Sequence, residues 1–404
     1  MQNALFESAL GIEKPLIIEE IRFDKESGEL HIHINFERGG KFSCSCCNTT
    51  GLSAYDTKDK TWRHLNFFEY RCYIHLRTPR TDCSECGILL WTPPWGRPDS
   101  GFTLLFEAFV MTLMRDMPVA SVAELVGEHD TRLWRILKHH TDEAYANKDF
   151  SDVAEIGCDE TSSKKGHNYI TVFADMDTKK VIFATPGKKA TTIKRFAEEL
   201  PKHNATAEQI TEATIDMSPA FISGVGEYLP NASITFDKFH VVKLLNEALD
   251  KVRRAEQKDN PLLKSSRYSF LMNPDNLTKK QALHLETLTS TNLRTAKVYQ
   301  MKLVFQDIYR YIRCPEQARL AIQKFLVWAD RSRLDPIRKF SKTVKNHMDG
   351  ILRYFTSRLT SGAMEGINSR IQTIKRRARG FRNMDNFIAM IYLEMADLEF
   401  NLPT

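Results

Sequence analysis

Val153-Ala-Glu-Ile-Gly-Cys-Asp159 is a short apolar run that ends on a carboxylate, and the order of elements after it decides the fold. Asn168 to Asp175 reads as a second strand and Lys180 to Thr185 as a third, with a turn near Asp177 between them. Ala190 to Leu200 has helical spacing. Glu212 to Asp216 is a fourth strand, and Ser218-Pro219 supply the N-cap and first-turn residues of the next helix. Ser233 to Phe236 is a fifth strand, after which Asp237 leads into a long helix through Leu249. Three strands in succession, then helix, strand, helix, strand, is the order of a ribonuclease-H-like sheet. In that order the first and fourth strands are neighbours, so Asp159 and Asp216 come together.

A third acid, Glu365, lies in Ser361-Gly-Ala-Met-Glu-Gly-Ile-Asn-Ser-Arg370. Met364, Ile367, Ile371 and Ile374 form an apolar helical stripe, and Glu365, Asn368, Ser369 and Gln372 a polar face beside it. Two carboxylates at strand ends and one on a helix suit a pair of Mg²⁺ or Mn²⁺ ions. Such a pair activates a nucleophile and stabilises the leaving oxygen of a phosphodiester. Lys375, Arg376, Arg377 and Arg379 follow on the same helix and suit DNA phosphates. Taken singly, each acid has an ordinary reading as a turn residue, a cap or a partner of the helix dipole. Glu160, Asp175, Asp177 and Asp237 compete with the trio, and Asp237, in Asp237-Lys-Phe-His240, is the strongest rival.

Upstream, six of the eight cysteines fall within the first 86 residues. Cys44/Cys47 and Cys83/Cys86 are two C-x-x-C pairs that suit a tetrahedral structural zinc of ribbon type. Their separation exceeds the common ~15–20 residues. Trp62 to Arg77 reads as a strand that brings the pairs together, with Tyr70, Cys72, Ile74 and Leu76 on its apolar face. Cys72 is therefore expected to be a buried thiol, while Cys46 competes as a ligand with Cys44 or Cys47. Residues 15–37 read as a hairpin turning near Glu26-Ser-Gly28, with His31 and His33 on a solvent-facing polar side.

After Pro93-Pro-Trp-Gly-Arg-Pro98, a helix is expected over Phe102 to Met114. Pro118 suits the first turn of a second helix carrying Val119, Val122, Ala123 and Val126. Gly127 allows a tight turn, and a third helix runs through Leu133, Ile136 and Leu137. This is the form of a helix-turn-helix DNA reader, with Thr131, Arg132, Arg135, Lys138 and His139 on the exposed side.

The chain's 404 residues indicate several domains, and its net charge of +6 is modest, so the location of charge matters more than its total. No apolar run reaches the ~18–20 residues of a membrane span, and the N-terminus lacks the pattern of a signal peptide. A cytoplasmic, reducing setting is expected. The fold class is multidomain α+β and α/β. A zinc-binding β-rich domain is expected over 1–98 and a helix-turn-helix domain over 99–148. The catalytic core occupies 149–250 and 356–404, interrupted by a helical insertion over 251–355.

The combination resembles bacterial insertion-sequence transposases of the DDE type, the ISL-three group, over nearly the whole chain. The carrying segments are the two cysteine pairs, Thr61-Trp-Arg-His-Leu65, Arg77-Thr-Pro-Arg80 and Arg132-Leu-Trp-Arg-Ile136. In the core they are Gly157-Cys-Asp-Glu-Thr161, Thr214-Ile-Asp-Met-Ser-Pro219, Phe236-Asp-Lys-Phe-His240 and Ser361 to Ser369 with Lys375-Arg-Arg-Ala-Arg-Gly380. The resemblance implies a catalytic triad of Asp159, Asp216 and Glu365. It implies binding of terminal inverted repeats in double-stranded DNA, followed by Mg²⁺-dependent cutting and joining to a target. The protein is expected to act as a homo-oligomer, since two ends must be joined in one complex. A DNA-binding regulator on a retired core and a ribonuclease-H-like host nuclease are the rival readings.

Overall fold

The computed structural model describes residues 2–164, 168–359 and 362–403; Ser361 lies outside the described residues. The chain divides into two compact units, residues 1–140 with 399–404 and residues 141–398.

In the first unit α1 (Gln2–Leu10) precedes β1 (Leu16–Asp24) and β2 (Glu29–Phe36), the expected hairpin. With β3 (Lys41–Phe42), β4 (Leu52–Arg63), β5 (Arg71–Cys83) and β6 (Gly87–Leu90) they form one sheet in the order β1-β2-β5-β4-β3, with β6 on β5. The single strand expected from Trp62 to Arg77 is two antiparallel strands. The chain reverses in a turn closed by the Tyr70 N–H on the Phe67 carbonyl at 3.0 Å, with Phe68 at a φ of 52°. Beyond it the alternation holds, with Cys72, Ile74 and Leu76 buried. His31 and His33 are half-buried rather than solvent-facing. Parallel pairing of β2 with β5 sets His33 opposite His75, their rings 4.5 Å apart, and His31 Nδ1 lies 2.9 Å from His75 Nε2.

Three helices complete this unit: α2 (Leu104–Asp116), α3 (Val119–Val126) and the start of α4 (Asp130–Ala146). Pro118 is the N-cap of α3 rather than a first-turn residue, and Gly127 ends α3 in the left-handed region at φ 70°. Arg63 joins sheet to helices. It is buried, donates to the Cys72 carbonyl at 3.3 Å, approaches Glu128 to 3.9 Å and lies 5.4 Å from the Phe106 ring. Buried Glu107 of α2 accepts from Ser100 Oγ at 2.6 Å, Arg97 Nε at 2.8 Å and His140 Nε2 at 2.6 Å. Burial alone would raise its carboxyl, but the hydrogen bonds from His140, Arg97 and Ser100 hold it below its ordinary value.

The second unit is built on β7 (Glu155–Lys164), β8 (Asn168–Asp175), β9 (Val181–Pro186), β10 (Glu212–Ile215) and β11 (Ser233–Phe236). Their order is β11-β10-β7-β8-β9, so the first and fourth strands of this sheet are neighbours as expected. The first three strands pair antiparallel, and β10 runs parallel to both β7 and β11. Helices α5 (Ala190–Glu199) and α6 (Pro219–Tyr228) alternate with the later strands, and α7 (Lys238–Glu256) follows β11. β8 and β9 are buried on both faces, which accounts for their nearly unbroken apolar runs.

Between α7 and the last two helices the described residues form helices and no strand. These are α8 (Arg267–Leu271), α9 (Lys279–Thr289), α10 (Arg294–Tyr311), α11 (Pro315–Arg331), α12 (Asp335–Asn346) and α13 (Met348–Ser357). α14 (Gly362–Arg377) and α15 (Met384–Met395) then return to the sheet. No helix among the described residues is long and apolar enough to cross a membrane.

Arg353 and Gly350 are among the residues that tie the insertion to the sheet. Arg353 of α13 pairs with buried Glu212 at the start of β10, its Nε 2.6 Å from Oε1. Gly350, also on α13, lies against β11: a Cβ there would meet the Phe236 ring at 2.5 Å and the Ile234 carbonyl at 3.3 Å. Gly350→Val is therefore expected to lower stability by about 1–3 kcal/mol through overpacking, measured by urea unfolding.

Candidate active site and cysteine centre

β7 is longer than its sequence suggests, and Asp159 lies within it rather than at its end. The strand keeps β8 as partner from Ile156 to Lys164. On its other side β10 pairs only from Glu155 to Gly157, the last match being Gly157 with Thr214. Continued by two residues, that register sets Asp216 level with Asp159. The β10 side of β7 thus opens at the carboxyl end of β10, the place where open α/β sheets form crevices.

Glu365 arrives on the first turn of α14, whose stripe Met364, Ile367, Ile371 and Ile374 is buried as expected. Gly157 makes this seating possible. A Cβ there would lie 2.7 Å from the Met364 sulfur, so a side chain would contest the space of the residue beside Glu365. Asn368, one turn on, donates from Nδ2 to Asp159 Oδ2 at 2.6 Å. Gln372 donates to Thr161 Oγ1 at 2.8 Å, and Lys375 to the Ser162 carbonyl at 2.7 Å. α14 is thereby laced along the exposed length of β7.

Asp159, Asp237, Glu365, His240, Asn368 and Gln372 line a cleft of about 400 Å³. Burial, and then the charge of Asp216, raise the Asp159 carboxyl. The Glu160 amide, His240 and Asn368 oppose that rise. Glu160 is raised by burial, Asp216 and Asp159, and Glu365 by burial and the charges of Asp237 and Asp159. Mutual repulsion of this kind marks a place where a cation is favourable. Asp216 is not among the residues that line the cleft; its charge acts on Asp159, Glu160 and His240, while its Oδ1 accepts from the Ser218 amide at 2.9 Å.

Asp237 is 4% exposed and caps α7, with Oδ1 accepting from the Phe239 amide at 2.9 Å. Its Oδ2 is 2.8 Å from His240 Nδ1. This hydrogen bond and the charges of Asp237, Asp159 and Asp216 raise the His240 pKa. The Asp237–His240 pair was missed as a unit in the sequence. Its signal was an N-cap aspartate with a histidine three residues on. Asp175 is a turn residue, accepting from the Asp177 and Thr178 amides at 3.1 and 3.2 Å.

The cysteine centre is more tightly gathered. Cys44, Cys47, Cys83 and Cys86 bring all four sulfurs within 4.8 Å of one another, as a four-thiolate zinc site requires. The β4–β5 hairpin closes the long interval between the pairs. Cys46 is exposed and outside the group, and Cys72 is buried on β5, where burial pushes its thiol up to about 12. The carboxylates form no such group among the described residues; they border an open cleft. Its donors are oxygens, and Asn368 Oδ1 is buried there without a hydrogen-bond partner, a set that fits a hard divalent cation.

The expected DNA contacts divide. Thr131, Arg135 and Lys138 are exposed on α4, whereas Arg132 pairs with Glu128 and lies 4.1 Å from the Phe102 ring. Arg376 and Arg379 are exposed, whereas Arg377 pairs with Glu394.

Three family models match in chain order. They are the zinc-finger of transposases IS204/IS1001/IS1096/IS1165 over residues 41–86, the helix-turn-helix domain of transposase family ISL3 over 92–141, and the ISL3 DDE transposase over 156–391. The transposase for insertion sequence element IS1001 of Bordetella parapertussis is 31% identical over 363 residues, covering 86% of this chain and 87% of that protein. The transposase for insertion sequence element IS1557 of Mycobacterium tuberculosis is 27% identical over 444 residues, covering 100% of this chain and 98% of that protein. A ribbon of four cysteines, a helix-turn-helix and a sheet that gathers acidic residues at the end of β10 thus belong together in one enzyme: the chain is a member of the ISL3 family of DDE transposases.

Proposed function

We propose that the protein binds the terminal inverted repeats of an insertion sequence and catalyses Mg²⁺-dependent DNA strand cleavage and strand transfer. The observation that carries this reading is the register of β10 on β7. Its last pair is Gly157 with Thr214, and the same register carried two residues further would bring Asp216 level with Asp159, on the flank where α14 carries Glu365.

Asp159, Asp216 and Glu365 are the residues that would hold two Mg²⁺ ions. When bound, these ions activate the attacking oxygen and stabilise the leaving oxygen of the phosphodiester. Asn368 fixes the orientation of Asp159 through its 2.6 Å hydrogen bond. Asp237 caps α7 and holds His240 beside the cleft, and this double engagement supports its reading as a positioning residue. Water attacks in cleavage, and the freed 3′-hydroxyl takes its place in strand transfer. Thr131, Arg135 and Lys138 reach DNA from α4, and Arg376 and Arg379 hold phosphates beside the cleft. Arg132, Lys375 and Arg377 support these contacts from positions braced by protein partners. Two copies of the chain join the two ends in one complex. The four cysteines hold a structural Zn²⁺ that fixes the ribbon.

Asp159→Asn, Asp216→Asn and Glu365→Gln are each expected to lower cleavage of inverted-repeat DNA by roughly 10³-fold or more while leaving binding intact. Full binding by the native protein with no cutting in Mg²⁺ would favour a regulator, and cutting without strand transfer a host nuclease. Asp237→Ala abolishing cleavage while Asp216→Ala spares it would overturn the triad.

Metal analysis of the purified protein is expected to give one zinc per chain. Cys83→Ser with Cys86→Ser should lose it and Cys46→Ser retain it. A folded, metal-free native protein would refute the centre. Removing Arg376 and Arg379 together should reduce the slope of log affinity against log salt by about 2, read from binding titrations between low and moderate salt.

A further inference from the structure

Beside the acidic cleft, a second cavity of about 540 Å³ opens between α7, the end of α8 and α10. The two share a wall, since Phe239 and Lys243 line both. This follows from the helical spacing of α7. Phe239, Val242, Lys243 and Asn246 fall on one stripe facing the second cavity, while Asp237 and His240 border the cleft. The opposite wall is held firmly. Lys302 of α10, 0% exposed, donates to the carbonyls of Phe270, Leu271 and Met272 at 3.0, 2.8 and 3.1 Å and clamps the end of α8.

The lining has three properties that belong together. Phe239 is 46% exposed at the boundary of the two spaces, with Lys238 Nζ 5.3 Å from its ring centroid. Asn246 Oδ1 and the Tyr309 hydroxyl are buried with no hydrogen-bond partner, although both residues line the cavity. Leaving such groups unpaired costs about 1–3 kcal/mol each. Lys243 and Arg310 are exposed cations on the same lining. A purely apolar ligand would leave both orphaned groups unsatisfied. An anion alone would have no use for the aromatic face and the apolar floor formed by Leu271 and Met272.

We propose that this cavity is a subsite for one unstacked nucleobase of the DNA strand that occupies the neighbouring cleft. The assignment rests on the reading of that cleft as the site of strand cleavage. The base stacks on Phe239, an interaction worth about 1–3 kcal/mol. Its edge pairs with the Asn246 amide, which carries both donors and an acceptor, and with the Tyr309 hydroxyl, after a side-chain rotation that brings the buried Oδ1 and hydroxyl to the cavity. Lys243 and Arg310 hold the flanking phosphates. The volume lies within the ~300–1,000 Å³ typical of small-ligand sites.

The test uses the full-length protein and duplexes carrying the inverted repeat that flanks its reading frame. Single mismatches are walked across the cleavage junction, and affinity is measured with Ca²⁺ in place of Mg²⁺. At one position on the cleaved strand, unpairing the base should tighten binding about tenfold, because the cost of flipping is removed. Phe239→Ala and Asn246→Ala should abolish that gain. Tyr309→Phe should reduce it with the thermal midpoint unchanged or raised, which separates loss of the subsite from loss of the fold. End-specific binding with no favoured position overturns the subsite alone, as does a gain that survives in Phe239→Ala and Asn246→Ala. Native protein that does not distinguish the repeat from unrelated duplex overturns the cleavage-site reading, and this assignment with it.

Discussion

β7 runs for ten residues, but its parallel partner β10 stays with it for only three pairs. That mismatch in length is the constraint on which the candidate site depends. Had β10 continued, its backbone would have covered the flank of β7 beyond Gly157, and Asp216 would have been a ladder residue. Because it stops, Asp216 follows just after the last residue of β10, and β7 at Asp159 has no pairing from β10. α14 then lies along β7, over a glycine that leaves room for Met364. Strand length, one missing Cβ and one helix stripe therefore place Glu365 near residues more than a hundred positions earlier.

Gathering acids in a half-buried cleft opposes folding, since burial and like charge each raise the cost of the ionised form. The surrounding residues distribute that cost. Asn368 and the Glu160 amide donate to Asp159, and the Ser218 amide donates to Asp216. His240 is anchored on Asp237, whose hydrogen bond raises its pKa together with the charges of Asp237, Asp159 and Asp216. Asp237 accepts on both oxygens, as Asp159 does, so its carboxylate is held in place at the cleft wall by the α7 cap and by His240. The helical insertion supports the arrangement from behind, because Arg353 and Gly350 of α13 fix β10 and β11, the strands that deliver Asp216 and Asp237.

Much of this was legible in the sequence for a definite reason. β8 and β11 have the expected bounds, and the stripe of α14 is buried at every expected position. In these segments local pattern and tertiary environment agree. The end of β7 was not legible, because Glu160 to Lys164 is polar and its strand state is set by pairing with β8 alone. The break between β4 and β5 was hidden for the opposite reason. Phe67, Phe68 and Tyr70 look like strand residues, yet the chain turns through a left-handed Phe68. The half-buried histidines on β2 could not be read either, since their partner His75 comes from a strand 42 residues on in the parallel register. Arg132 and Arg377 show that a basic side chain in a basic segment can be committed to its own protein.

The two candidate metal centres show how donor geometry separates structural from chemical use. Four cysteine sulfurs converge within 4.8 Å, enough to fill the four positions of a tetrahedral zinc, so an ion held there would brace the ribbon. The carboxylates present hard oxygens around a cleft of about 400 Å³, too open to be a cage. On the proposed reading the remaining oxygens would come from what enters, a phosphodiester. Exposed Arg376 on the helix that carries Glu365, and exposed Arg379 in the turn after it, favour the same visitor. An incomplete ligand set is thus what a site needs when its remaining ligands belong to the substrate.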